Sequence, residues 1–190
     1  GEEEVEVRFT PGHAPGHALH AGHIYHLPFA AALAIALVPT NVGALRGAVG
    51  EFQDRMKKRT ALFTTQRMDE TGNAQMLAGE ADLTADACEA LMYRYADALM
   101  ALPADLDGAA ALEFRLRAFG WRAWIGRHAR EHIAGLFTHA GASAIYAGNG
   151  LQKRWRDIHA MAQHVVINHE VGVTAWGRQL AGQPAMPGIY

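Results

Sequence analysis

The sequence predicts an all-α fold, an antiparallel up-down four-helix bundle, and three observations predict it. Apolar residues recur at three- and four-residue steps through four long segments. Short breaks separate the segments, and short connections between long helices make neighbours antiparallel. The seams are rich in alanine and glycine, which lets helices approach closely, and a chain of 190 residues is long enough to bury the resulting core.

Residues 1–26 stand apart. Glu2, Glu3, Glu4 and Glu6 make an acidic start, and Pro11, Gly12, Pro15, Gly16 and Gly22 punctuate the remainder, so this stretch reads as a linker or the remnant of a strand. Residues 27–182 form the bundle and 183–190 a C-terminal tail. The first helix runs from about Pro28 to Lys58, with a kink at Pro39 and a smooth face at Gly43, Gly47 and Gly50. The second runs from about Asp69 to Leu102 on a seam of Leu77, Ala81, Thr84, Cys88, Leu91, Tyr95, Ala98 and Leu102. Pro103 and the break at 105–108 end it, and Asp107 is placed to cap a third helix that continues to about Thr138. Leu112, Leu116, Phe119, Ala123, Ile133, Leu136 and Phe137 give that helix its apolar face. A glycine-bearing loop, 141–150, then leads into the fourth helix, whose seam is Trp155, Ile158, Ala162, Val165, Val173, Trp176 and Leu180. His164 falls one position from that seam, about 100° round from Val165, at the border of the core. The apolar face from Phe29 to Val38 is left for a second copy to cover, so a homo-oligomer is expected.

Composition narrows the function. The net charge of −2, from 17 basic and 19 acidic residues, provides no basic field for nucleic acid or an acidic membrane surface. A single cysteine, Cys88, rules out an internal disulfide framework and suits a reducing, cytoplasmic setting. The apolar run from Leu27 to Val38 falls short of the roughly 20 residues a membrane span needs and reads as a buried helix. Two histidine patterns invite a metal. His13, His17, His20, His23 and His26 have helical spacing, but Gly12, Pro15, Gly16 and Gly22 oppose a helix there. His128, Glu131 and His132 form an H-x-x-E-H string, which reads instead as the charged outer face of the third helix, where Arg127, Arg130 and Glu131 alternate in sign. No metal site is expected.

The densest chemistry lies in LQKRWRDIHAMAQHVVIN, residues 151–168, where Lys153, Arg154, Arg156, Asp157, His159 and His164 share one helix with its core seam. Just before it, Gly148, Asn149 and Gly150 stand at the helix N-terminus, whose free N–H groups and dipole favour an anion. Asp157 beside Arg154 and Arg156 also suits local ion pairing. The four tryptophans, Trp121, Trp124, Trp155 and Trp176, belong to the core or to a subunit interface.

The run from Leu151 to Asp157 together with His164 resembles the last helix of the oxygenase components of two-component flavin-dependent aromatic monooxygenases, which share the acyl-CoA dehydrogenase fold. The likeness extends back to GHIYHLPF, residues 22–29, and forward to Gly182. It implies that an N-terminal helical domain and a β-domain precede this bundle in the whole protein, and that the bundle alone is inactive. It further implies hydroxylation of a phenolic or related aromatic compound with dioxygen, through a C4a-hydroperoxyflavin. Reduced FMN or FAD comes from a separate flavin reductase, and the assembly is a homotetramer or another homo-oligomer. By the same resemblance His164 lies beside the flavin ring and the phenol. Arg59 and Phe63 look like the pair that acyl-CoA dehydrogenases direct at the flavin of an adjacent subunit, while Gly148, Asn149, Arg154 and Arg156 lie near bound flavin. An acyl-CoA dehydrogenase-like FAD enzyme is the first rival, and it needs a carboxylate base where this chain has His164 and none before Glu170. A non-catalytic helical oligomerisation module is the second.

Overall fold

The computed structural model describes residues 19–60, 65–103, 106 and 108–186. Within them six α-helices occur: α1 (Phe29–Ala34), α2 (Val38–Lys58), α3 (Gly72–Met100), α4 (Gly108–His139), α5 (Gly150–Met161) and α6 (His169–Leu180). No strand is formed among the described residues; one isolated bridge pairs Thr60 with Arg67. Phe63, Asp105, Asp107, His13 and His17 lie outside the described residues.

The up-down order is visible in side-chain contacts. Arg46 of α2 meets Asp86 and Glu89 of α3, Thr84 of α3 meets His132 of α4, and Tyr95 of α3 lies against Trp121 of α4. As α3 advances its partners on α4 recede, so the two are antiparallel; Asn41 of α2 lies by Gly126 of α4 and Arg55 reaches Ala140 at the α4 end, so α2 and α4 run the same way. The α4 axis is central: α2, α3, α5 and α6 all pack on it. Leu45, Ala48, Val49 and Phe52 of α2, Ala81 and Ala85 of α3, Ala129, Ile133 and Leu136 of α4, and Leu151 and Ile158 of α5 share one buried cluster. The segment from Phe29 to Lys58 is long and apolar enough by composition to cross a membrane. Its α2 part packs on three neighbours as a core helix of the bundle.

The expected kink is a short 3-10 segment, Ile35–Leu37, joining α1 to α2. Pro39 has no N–H and its ring crowds the carbonyl four residues back, so the Ile35 carbonyl accepts the Val38 N–H instead. Ala31, Ala34 and Val38 are buried, while Phe29 and Leu33 remain exposed at 56% and 58%, as expected for a face left uncovered. The smooth glycine face differs from expectation. A Cβ on Gly43 or Gly50 would meet nothing within 4 Å, and only Gly47 is closely approached, by the Arg154 guanidinium rather than by another helix.

The fourth helix is the larger correction. The structure stops α5 at Met161 and begins α6 at His169, with a 3-10 turn, Val165–Ile167, between them. Three consecutive β-branched residues weaken the helix there, and the Asn168 side chain accepts the Val171 N–H at 3.1 Å as the cap of a new helix. The predicted seam therefore holds only in part: Ile158 and Ala162 are buried, whereas Val165 and Leu180 are 58% and 70% exposed. The fourth position of the bundle is shared. α5 packs between α2 and α4, and α6 packs antiparallel on α4 alone of the long helices. Gly172 sets that last contact, since a Cβ there would lie 2.6 Å from the Ala123 Cβ and 3.0 Å from the Phe119 carbonyl oxygen.

Candidate functional site

An open groove of about 420 Å³ runs between α2 and α5, with Thr40 and Ala44 on one side and Arg154, Asp157, Ala160 and Met161 on the other. Its volume lies within the range of small-molecule sites. Arg154 Nε donates to Glu51 Oε1 at 2.8 Å across the groove. That contact needs the missing side chain of Gly47, because the guanidinium lies where a Cβ would be. Asp157 is held within α5 by Lys153 one turn earlier. Arg156 is exposed, two residues and so about 200° from Arg154; α5 thus turns one arginine to α2 and the other to solvent.

Beyond the groove, three residues after Met161, His164 opens the 3-10 turn and is exposed rather than bordering the core. Its Nδ1 accepts the Val166 N–H at 3.4 Å, a long bond that nonetheless defines the ring: with Nδ1 as acceptor, the neutral imidazole carries its proton on Nε2. The nearest carboxylate after it in the chain, Glu170, is exposed in the first turn of α6.

The other predicted residues sit elsewhere. Asn149 caps α5, its side chain accepting the Leu151 N–H at 3.0 Å, and Gly148 is exposed with open space around its Cα. The Glu51 carboxylate lies against Gly150, 2.6 Å from the position a Cβ would take, so the positive end of α5 already faces an anion of this chain. The 12 residues of α5 separate Asn149 from His164 by about 18 Å of helix. Arg59 lies apart from both, just past α2, where its guanidinium donates to the Ala140 carbonyl beyond the end of α4. Arg55 donates to the same carbonyl at 2.6 Å and to Ser143 Oγ, and burial together with the nearby Arg59 charge pulls the Arg55 pKa down. Arg59 therefore closes a helix end. Of the predicted site residues the structure brings Arg154 to the groove and His164 near its end; Gly148 and Asn149 form the opposite end of α5, and Arg59 a separate corner.

The H-x-x-E-H string is engaged side chain by side chain. His128 lies tilted against Trp124 with centroids 3.9 Å apart, His132 meets Thr84 Oγ1 at 3.1 Å, and Glu131 takes the Arg127 Nε–H at 2.7 Å. Trp155 stacks on Phe137, and Trp176 lies under Arg117. Among the described residues, no cluster of three His, Cys, Asp or Glu side chains could hold a metal.

Two residues that matter were not singled out from sequence. Glu51 is the partner of Arg154. Arg122 of α4, 1% exposed, donates from Nε to the Val166 carbonyl at 2.5 Å. Its position was legible, for it falls three residues after Phe119 and seven before Ala129, inside the buried stripe of α4.

Residues 35–169 match the family model described as "Acyl-CoA dehydrogenase, C-terminal domain". The chain belongs to that family. Among curated relatives of this acyl-CoA dehydrogenase C-terminal domain, it is 29% identical over 168 residues to the pigment production hydroxylase of Rhodococcus sp. (strain ATCC 21145), covering 88% of this chain and 42% of that one. It is 26% identical over 181 residues to the FADH(2)-dependent resorcinol hydroxylase, oxygenase component, of Rhizobium sp. (strain MTP-10005), covering 91% and 44%. The solved 3-HSA hydroxylase from Rhodococcus sp. RHA1 superposes with a TM-score of 0.78 at 25% identity, over 93% of this chain and 44% of that one. The chain thus spans less than half the length of these relatives, and the domain fold expected from its sequence is the one seen in the solved hydroxylase.

Proposed function

We propose that the chain is the C-terminal helical domain of a reduced-flavin-dependent monooxygenase that hydroxylates a phenolic or related aromatic compound. The observation that carries this is the similarity, over about nine-tenths of the chain, to two hydroxylases, one of them a FADH(2)-dependent oxygenase component. A flavin reductase is then its partner, dioxygen its co-substrate, and a cytoplasmic homo-oligomer its setting. When bound, reduced flavin supplies the electrons that activate dioxygen for insertion into an aromatic C–H bond.

The described residues fit such a group in shape and donor type. The groove presents Ala44, Ala160 and Met161 as an apolar wall for a planar ring, with Thr40 and Arg154 as polar contacts. His164 is the catalytic residue of this proposal. Its Nε2–H is a donor that can hydrogen-bond a phenolate oxygen. Arg156 is the exposed guanidinium available to an anionic part of the cofactor. Arg154 acts on the other face of α5, from the groove. Gly148, Asn149 and Arg59 serve the cofactor by fixing α5 and the α4 end that frame the site, and Phe63 comes four residues after Arg59 in the chain.

The test uses the full-length protein, a flavin reductase, NADH and a panel of phenols, measuring hydroxylated product against hydrogen peroxide. The wild type is expected to form product, and His164→Ala to lose at least about tenfold of it, with peroxide rising in step. Absence of product from every phenol, with reduction of bound flavin by an acyl-CoA, refutes the proposal in favour of a dehydrogenase.

A further inference from the structure

Arg122 is, with Asn41, one of two buried polar or charged residues among the described core positions. Its guanidinium has no carboxylate partner. Nε reaches the Val166 carbonyl, the plane lies 4.3 Å over the Phe119 ring, and Nη1 and Nη2 make no well-formed hydrogen bond. The neighbouring Tyr95 hydroxyl gives its proton to the Ala31 carbonyl at 2.6 Å, so only its lone pairs can face the guanidinium. A cation buried this way is unfavourable relative to an apolar side chain of similar volume. Stability of the helix seam does not call for it, since Ala118, Phe119, Ala123 and Ile125 around it are apolar and fully packed.

What the arginine does hold is the turn that carries His164. Both polar backbone groups of Val166 are engaged: its N–H by His164 Nδ1 and its carbonyl by Arg122 Nε. The Ile167 N–H closes the turn onto the His164 carbonyl at 3.0 Å, and Ile167 itself is buried against α4. Without the guanidinium, a segment of three β-branched residues between two helices has one backbone anchor fewer, and the histidine has no fixed acceptor geometry.

We propose that Arg122 is a positioning residue for His164: by holding the Val166 peptide group it keeps the imidazole in the Nε2–H tautomer and aims that donor at the reacting atoms. This rests on the function proposed above, and the two are separable by experiment. The full-length protein is prepared with ¹⁵N-histidine, and the His164 ring nitrogens are assigned by comparison with His164→Ala. In wild type the neutral ring shows one tautomer, protonated on Nε2. Arg122→Met, which removes the donor and keeps an apolar filling, is expected to let His164 sample both tautomers, to lower coupled hydroxylation by tenfold or more, and to leave the KM for the phenol within about twofold, as a misplaced catalytic group does. Arg122→Lys keeps the charge without the Nε fork and is expected to fall between the two. It also decides the matter if Arg122→Met does not fold. An unchanged tautomer together with unchanged coupling in whichever variant folds overturns the proposal. A changed tautomer in a protein that forms no hydroxylated product at all leaves the tether standing and overturns the monooxygenase function instead.

Discussion

Gly172→Ala is expected to destabilise the domain although alanine is the better helix former. The added Cβ would lie 2.6 Å from the Ala123 Cβ, 2.9 Å from Phe119 Cδ2 and 3.0 Å from the Phe119 carbonyl oxygen. Non-bonded carbons rest at about 3.5–4.0 Å, so α6 must retreat by about 1 Å. Two of these three neighbours cannot swing away, because one is a Cβ and the other backbone. Overpacking of this kind costs about 1–3 kcal/mol, and the gain in helix propensity returns about 1 kcal/mol. The net loss is about 1–2 kcal/mol if the overpacking lies in the upper part of that range, a fall of roughly 2–8 °C in Tm for a chain of this size. Gly177→Ala is the control on the same helix: it is exposed, its Cβ would meet nothing within 4 Å, and it should gain about 0.5–1 kcal/mol. Urea unfolding followed by circular dichroism measures both, and the Trp176 emission reports the α4–α6 contact directly. If Gly172→Ala raises the midpoint as much as Gly177→Ala does, α6 does not approach α4 through this glycine and the packing argument fails.

Burial of the Cys88 thiol pushes its pKa up to about 11 from 9.0. The folded chain then keeps its proton between those values while the unfolded chain loses it, so stability should decline from about pH 9 to 11 by about 2–3 kcal/mol, and Cys88→Ala should flatten the urea midpoint over that interval. The His128 and His169 pKa values are lowered, in both cases chiefly by burial and for His169 also by the Arg127 charge. The unfolded state therefore takes up protons first as pH falls below 6.5, stability drops from there, and His128→Phe should make the drop shallower in a pH series of urea midpoints. Tyr95→Phe removes the hydroxyl that binds the Ala31 carbonyl and faces the buried Arg122 guanidinium; the carbonyl keeps the Ile35 N–H but the guanidinium loses that neighbour, so the loss should be about 1.5–3 kcal/mol by the same unfolding measurement.

The histidine strings show how spacing misleads without packing. His128 and His132 have the register of a metal pair, yet one ring lies against Trp124 on the preceding turn and the other bonds Thr84, and the second contact depends on where α3 comes to rest. Arg59 is the converse: the type suits a phosphate, but the chain folds it onto the Ala140 carbonyl, across more than eighty residues that no local pattern links.

Helices α3 and α4 were legible because each is set by a long, regular apolar stripe that needs no partner to be recognised: Ala81, Cys88 and Tyr95 on one, Leu116, Phe119, Ala123 and Ile133 on the other, all buried as their spacing requires. The Leu151–Asp157 run with His164, and with it the family likeness, was equally a property of sequence. Tertiary structure, together with the local Asn168 cap, decided that His164 leaves the helix. Val165, Val166 and Ile167 continue a seam by their spacing, but the weak helix propensity of β-branched residues yields there to the Asn168 cap and to a buried guanidinium from α4, forty-four residues away. A periodic pattern records which residues avoid water; which backbone groups must bond across the bundle depends on what the other helices bring to meet them.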